Sequence, residues 1–120
     1  MSPLNNWIRI GAISGFLAVA LGAFGAHGLK NIVTPEMLET YRTGVLYHLI
    51  HSVVILAIGF YGNERLKIAA LFFLLGIILF SFSLYAYSVT GMKALAMITP
   101  VGGVSFLIGW VLTAVRAKRA

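Results

Sequence analysis

The sequence contains no cysteine and no aspartate, and its only acidic residues are three glutamates. Without cysteine, the chain cannot use disulfide exchange, a thiol nucleophile or thiolate metal ligands. Charged residues make up only 10% of the 120 residues, whereas 60% are hydrophobic and the mean hydropathy is +0.96. This composition is far from that of a soluble domain. The chain is therefore predicted to be an integral membrane protein.

The scarcity of acid also limits the possible functions. Glu36, Glu39 and Glu64 all fall outside the long apolar runs. A proton-coupled exporter of the small multidrug type has similar length, but it needs a carboxylate within the membrane. A small-solute or proton-coupled transporter would have to use His51 or His48 instead. Such a transporter using His51 remains an alternative. No nucleophile and base occur at a recognisable spacing, so an enzyme is the less favoured interpretation and no catalytic residue is assigned.

Four long apolar runs dominate what is present. They cover about residues 7–27, 35–62, 67–89 and 94–116, and each is close to or above the roughly 20 residues that a spanning helix needs. The connections are short, so residues 1–120 are expected to form a single domain. The predicted fold class is all-α integral membrane, an antiparallel four-helix transmembrane bundle.

The basic residues predict the orientation. Six of the nine fall on the side of the N-terminus, second loop and C-terminus, namely Arg9, Arg65, Lys67, Arg116, Lys118 and Arg119. Because basic residues favour the cytoplasmic side, both termini are predicted to face the cytoplasm, in a bacterial cytoplasmic (inner) membrane, with Trp7 and Trp110 at the inner interface. The net charge of +6 is spread over membrane flanks. Membrane lipids are therefore the expected partners, and nucleic acid is not.

Helix ends can be located from glycine, proline and threonine. Gly28 suits the left-handed residue that often closes a helix. Thr34 and Pro35 have the order of an N-cap and a first helical residue. In the fourth run, Pro100 interrupts a helical pattern, which predicts either a kink or a fresh helix start.

Polar residues within the runs are biased toward the outer membrane edge. These candidate pocket residues are His27, Tyr41, His48, His51, Ser81, Tyr85, Thr99, Pro100, Gly102 and Gly103. Their shared depth predicts an outer-half polar pocket in a non-enzymatic protein. The pocket would bind a lipid, a quinone or another small amphiphile, or a partner helix. Among the histidines, His51 is the leading candidate, His27 is its expected neighbour and His48 is treated as dispensable.

The histidines allow other interpretations. Neutral histidine often serves as a hydrogen-bonding link between membrane helices. A metal site would combine His27, His48 and His51 with water as fourth ligand, and haem would need histidines on facing helices, such as His27 and His51. Since no carboxylate or thiolate joins them, no metal ligand is assigned and the cofactor stays unknown.

Small residues recur at helical spacing in the first and fourth runs. They are Gly11, Gly15, Ala18 and Gly22 in the first, and Gly102, Ser105 and Gly109 in the fourth. Such stripes allow close helix packing in lipid. We expect the fourth stripe to meet the first helix. The small faces could also support a homo-oligomer or a partner membrane protein.

Four segments carry a family resemblance: GAFGAHGL at 22–29, the segment at 47–52, LFSFSLY at 79–85 and TPVGGVSFLIGW at 99–110. Together they resemble the small membrane family catalogued as domain of unknown function four hundred and twenty-three, to which transmembrane protein two-five-six is related. The resemblance implies a four-span protein without an assigned activity. His51 matches the family's histidine, whereas His48 stands where the family often has Gln. Phe82 stands where a Gly is expected, which argues against close backbone approach there.

Overall fold

The computed structural model describes residues 3–117, so the predicted contributions of Lys118 and Arg119 lie outside it. Its α-helices are α1 (Pro3–Gly28), α2 (Pro35–Tyr61), α3 (Lys67–Gly76), α4 (Phe82–Thr90) and α5 (Lys93–Arg116). A 3₁₀ turn (Glu64–Leu66) precedes α3, and a π-helical segment (Ile77–Ser81) joins α3 to α4. The continuous stretch Glu64–Thr90 is the third of four helical spans that are long and apolar enough to cross a membrane.

The four spans form an antiparallel all-α bundle, as the sequence predicts. α2 and the third span lie at its centre, while α1 packs against α2 and α5 packs against the third span. The end of the bundle that carries Arg9, Arg65, Lys67 and Arg116 is called the basic end below. α1 and the third span approach the opposite end, and α2 and α5 return to the basic end.

Glycines set the distance between α1 and α2. A Cβ atom at Gly11 would lie 2.8 Å from the backbone nitrogen of Leu56, and one at Gly22 would lie 3.2 Å from a Val45 methyl group. Gly15 has more room, since its nearest neighbour is the Ser52 Cβ at 3.9 Å. The small stripe of α1, which includes the fully buried Ala18, therefore lies along α2.

The small stripe of α5 packs against the third span, not against α1 as the sequence analysis expected. A Cβ at Gly109 would lie 2.7 Å from the Phe73 ring, and the Ser105 hydroxyl donates a hydrogen bond to the Phe72 carbonyl at 2.7 Å. The expectation was wrong because a stripe of small residues permits close approach without specifying which helix approaches.

Two spans approach closely at Gly102. A Cβ there would overlap the Phe80 backbone nitrogen and would lie 2.6 Å from the carbonyl carbon of Leu79. Leu79 and Phe80 belong to the π-helical segment, whose wider turn is closed by a hydrogen bond from the Phe82 N–H to the Ile77 carbonyl. Close backbone approach thus occurs in this region although Phe82 occupies the position of the expected glycine.

The predicted helix start at Thr34–Pro35 is confirmed, the predicted end at Gly28 is confirmed in position only, and the fresh helix start at Pro100 is absent. Thr34 caps α2 by accepting a hydrogen bond from the Met37 N–H at 3.1 Å, and Pro35 begins the helix. α1 does end at Gly28, but without a left-handed residue, because among residues 3–117 only Gly62 and Gly91 have positive φ. Pro100 starts no new helix, since α5 continues from Lys93 to Arg116. Membrane helices tolerate such a proline because their neighbours stabilise the interrupted backbone.

Candidate functional site

A polar cluster surrounds His48 at the middle of α2. His48 Nε2 lies 3.1 Å from the Ser14 hydroxyl of α1, and its Nδ1 lies 2.8 Å from the Tyr85 hydroxyl of α4. The Ser14 hydroxyl lies 2.6 Å from that of Ser52, which donates to the His48 carbonyl at 2.7 Å. His48, Ser14, Ser52 and Tyr85, named the His48 cluster here, therefore join three spans.

The direction of each hydrogen bond in the His48 cluster can be assigned. A hydroxyl has one proton, and Ser52 uses its proton on the His48 carbonyl. Ser52 therefore accepts from Ser14, and Ser14 accepts from His48 Nε2–H. His48 Nδ1 is then left as an acceptor for the Tyr85 O–H. These directions apply to a neutral His48, whose single ring proton is then on Nε2.

A lateral groove of about 330 Å³ reaches the His48 cluster between α1 and the third span. Its lining comprises Ile10, Ile13, Ser14, Leu17, His48, Leu74, Ile77, Ile78 and Phe82. Ile13 and Leu17 on one side and Ile78 on the other are exposed, so in a bilayer the groove opens toward lipid. Because the polar atoms of His48 and Ser14 are already hydrogen-bonded, the groove offers an occupant mainly hydrocarbon.

Two further candidate residues lie beside the His48 cluster. Tyr41 is buried, its ring centroid lies 5.0 Å from that of Tyr85, and its hydroxyl donates to the Leu21 carbonyl at 2.5 Å. The Ser81 backbone oxygen lies against Gly44, where an added Cβ would be 3.1 Å away. Ser81 is fully buried, and its hydroxyl is the one buried side-chain polar atom without a hydrogen-bond partner in residues 3–117. The structure thus brings Tyr41, His48, Ser81 and Tyr85 together.

His51 lies in a separate, aromatic environment. Its ring stacks on Phe106 with centroids 3.7 Å apart and an interplanar angle of 11°. Phe73 and Trp110 also contact the ring, with centroids at 5.5 and 5.8 Å. The four residues, named the His51 cluster here, join α2 to α3 and α5. They lie in the half of the bundle toward the basic end, which the charge distribution predicts to be the inner half, so His51 lies outside the predicted outer-half pocket.

Both nitrogens of His51 have partners with fixed roles. Nδ1 lies 2.7 Å from the Tyr47 carbonyl, which can only accept, so the ring proton is on Nδ1. Nε2 accepts from the indole N–H of Trp110 at 3.1 Å. A second proton on Nε2 would face that N–H without an acceptor. Proton transfer through His51 would therefore require Trp110 to move.

The remaining candidates lie apart from both clusters. His27 is exposed near the end of α1, far from the expected position beside His51, because antiparallel α1 places Gly25 opposite Tyr41. The Thr99 hydroxyl lies 2.6 Å from the Ser83 hydroxyl, and Pro100 is exposed. A Cβ added at Gly103 would lie 3.8 Å from the Phe80 ring, in ordinary contact, unlike one at Gly102.

The separation of the histidines bears on the metal and haem alternatives. Within residues 3–117, no group of three histidine, cysteine, aspartate or glutamate side chains is placed to hold a metal ion. His27 lies at the end of α1, whereas His48 and His51 are buried with all their ring nitrogens hydrogen-bonded. The geometry gives no support to a three-histidine metal site or to paired haem ligands.

Sequence reasoning missed several residues of the two clusters. Ser14 lies three residues after Gly11 and four before Ala18, so its position on the small stripe could have indicated that it faces α2. Ser52 follows His48 by one helical turn. Trp110 was assigned to the membrane interface, and nothing in the sequence indicated that its indole N–H contacts His51. Phe73 and Phe106 resemble any other apolar residues of their spans.

Comparison with known proteins gives the family. The family described as "Protein of unknown function (DUF423)" matches residues 21–103. The UPF0382 membrane protein YwdK of Bacillus subtilis is 41% identical over 97% of this chain and 98% of its own length. The UPF0382 inner membrane protein YgdD of Escherichia coli is 43% identical over 90% of this chain and 86% of its own length. No solved structure matches the chain. Given the four apolar spans, the profile match and these relatives, the chain belongs to the DUF423 family of UPF0382 integral membrane proteins.

Proposed function

We propose that this membrane protein is non-enzymatic and binds the apolar part of a small membrane amphiphile, such as a lipid or a quinone, in the lateral groove. The observation that carries the proposal is the groove itself, with its volume of about 330 Å³ beside the His48 cluster. Small-molecule pockets usually begin at about 300 Å³ and are mostly apolar.

The position of the groove supports this class of occupant. Molecules dissolved in the bilayer reach it sideways between α1 and the third span, past the exposed side chains of Leu17 and Ile78. The His48 cluster keeps α1 attached to α2 and α4 behind the groove. Since its hydrogen bonds are satisfied internally, binding an apolar chain leaves no buried polar group without a partner.

A pair of tryptophan substitutions on the third span tests the proposal. Ile78→Trp fills the lateral groove, whereas Leu75→Trp adds the same bulk at an exposed position outside its lining. The measurement is native mass spectrometry of protein released from mild detergent. We expect the unsubstituted protein and Leu75→Trp to retain a co-purified small amphiphile and Ile78→Trp to lose it.

Two outcomes would overturn the proposal. Equal retention by both tryptophan variants would place the bound molecule elsewhere. Loss of a dimer by Ile78→Trp, with no small molecule bound to the unsubstituted protein, would assign the groove to a partner helix. Thermal unfolding of each variant in the same detergent checks that Ile78→Trp remains folded.

A further inference from the structure

A second groove lies at the basic end, between α2 and α5. Its volume is about 620 Å³, and its lining includes Val54, Ile58, Tyr61, Leu66 and Thr113. Leu66 and Ile58 are buried, whereas Tyr61 is half exposed at the rim. Apart from the Tyr61 and Thr113 hydroxyls, these side chains are hydrocarbon, and the Thr113 hydroxyl donates to the Gly109 carbonyl at 2.8 Å. This basic-end groove is suited to acyl chains.

Two arginines are held together next to the basic-end groove. Arg65 follows Glu64 in the 3₁₀ turn and adjoins Leu66, and Arg116 lies one helical turn beyond Thr113. Arg65 Nε donates to the Arg116 carbonyl at 3.4 Å, and Arg116 Nη1 donates to the Arg65 carbonyl at 3.5 Å. Each guanidinium has five N–H donors. Most of these donors remain available to a ligand.

No carboxylate neutralises this arginine pair in the part of the chain that the structure describes. The sole acidic residue near it is Glu64, which pairs with Lys67 Nζ at 3.1 Å. Glu39 pairs with Arg42 at the opposite end. Two arginines that are bonded to each other's backbone carbonyls, with no acid to neutralise them, favour a shared anion. Phosphate oxygens match their donor geometry.

We infer that the basic-end groove and the Arg65–Arg116 pair together form a binding site for an anionic phospholipid. The phosphate is held by the two guanidiniums, and the acyl chains lie in the groove against Val54, Ile58 and Leu66. Basic sites between spanning helices bind lipid headgroups in this way. The apolar groove selects a membrane lipid over free phosphate, because free phosphate gains nothing from hydrocarbon walls. The site is separate from the lateral groove.

The experiment compares charge-matched double variants by native mass spectrometry in detergent with added lipid. R65Q/R116Q removes the arginine pair, whereas K30Q/K93Q removes the same charge from the opposite end and leaves the Glu64–Lys67 ion pair intact. The probes are phosphatidylglycerol, zwitterionic phosphatidylcholine and inorganic phosphate. We expect the affinity for phosphatidylglycerol to fall about fivefold for each arginine of the pair. K30Q/K93Q should change it by no more than about twofold, since charges outside the site act only through screened attraction.

A variant in the groove tests the contribution of the apolar walls separately from that of the arginine pair. It also keeps the proposal testable if R65Q/R116Q fails to fold. Ala57→Trp places an indole in the basic-end groove and leaves both arginines unchanged. We expect it to weaken phosphatidylglycerol binding, with Leu75→Trp as the unaffected control. Equal losses in the two charge variants would overturn the site in favour of diffuse attraction. Unchanged binding by Ala57→Trp, equal binding of phosphatidylcholine, or displacement of the lipid by millimolar phosphate would also overturn it. Ile78→Trp tests the lateral groove independently, so failure of one proposal does not imply failure of the other.

Discussion

His48 and His51 lie one helical turn apart on α2, yet they stabilise different interfaces. His48 is surrounded by three hydroxyls from α1, α2 and α4, whereas His51 is surrounded by the rings of Phe73, Phe106 and Trp110. Both are buried, at 0% and 3% exposure. The difference lies in their partners, since hydroxyls can rotate and reverse roles, whereas a carbonyl and an indole N–H cannot.

This comparison assigns separate tasks to the two clusters. The His48 cluster links α1 to the rest of the bundle and forms one wall of the lateral groove. The His51 cluster attaches α5 to the centre, and none of its four residues lines that groove. A histidine in a membrane span is commonly taken as a functional candidate. In this protein, His51, whose partners have fixed hydrogen-bonding roles, is best explained by packing. His48, whose ring contacts hydroxyls that can either donate or accept, lies at the candidate site.

The largest expected effect comes from disrupting the docking of α5, on which the His51 cluster depends. Gly102→Ala places a methyl group against the backbone of Leu79 and Phe80, and neither backbone can rotate away. We expect a loss of about 3 kcal/mol or more in the free energy of unfolding, at or above the upper end for overpacked sites. The measurement is unfolding in mixed micelles with increasing SDS.

Gly103→Ala is the matched control for this prediction. Its nearest neighbours, atoms of the Phe80 ring, would lie 3.8 and 4.0 Å from the added methyl group. We expect unchanged stability or a gain of up to about 1 kcal/mol, because alanine favours the helix over glycine. Equal destabilisation by both variants would contradict the specific contact at Gly102.

The next effect comes from His48. His48→Leu removes the donor to Ser14 and the acceptor for Tyr85, so we expect a loss of about 1–2 kcal/mol and a loosened α1. His48→Gln provides one donor and one acceptor, as the Nε2–H tautomer does, and should cost less than about 0.5 kcal/mol. Unfolding in SDS gives the stability. If His48→Gln lowers the free energy of unfolding as much as His48→Leu does, the role of His48 is explained by ring packing and not by hydrogen bonding.

A smaller effect is expected at the His51 cluster. Trp110→Phe keeps an aromatic ring beside His51 and Phe73 but removes the indole N–H that His51 Nε2 accepts. Interhelical hydrogen bonds in membranes average about 0.6 kcal/mol, and we expect a loss of that order in the same unfolding assay. A loss above about 2 kcal/mol would show that ring packing changed as well.

The last prediction concerns proton positions and needs no substitution. Nitrogen-15 NMR of histidine-labelled protein should give opposite tautomers, with the proton on Nε2 in His48 and on Nδ1 in His51. His48→Gln assigns the signals, because one set disappears. The same tautomer in both rings would contradict the assigned hydrogen-bond directions of one cluster.

Some of these features could be predicted from sequence and others could not. The four apolar runs and the Thr34–Pro35 helix start are local, because length, hydropathy and capping act within a few residues. The neighbours of a helix are not local, so the α5 stripe was placed against the wrong span. The contacts of His48 are not local either. Its importance comes from Ser14 and Tyr85, which are 34 and 37 residues away in sequence.

The π-helical segment determines the angle at which the two halves of the third span face α2. An α-helix turns about 100° per residue, so twelve residues separate Phe73 and Tyr85 by about 120° around the axis. A single π bulge absorbs one residue, which reduces the separation to about 20°. Phe73 can then contact His51 while Tyr85 contacts His48 on the same helix. If Ile77–Ser81 became regular α-helix with no residue removed, Tyr85 would rotate by about 100°, out of reach of His48. Deleting one residue from Ile77–Ser81 would also restore a regular helix, but eleven residues would then separate Phe73 from Tyr85 and the two would stay on one face.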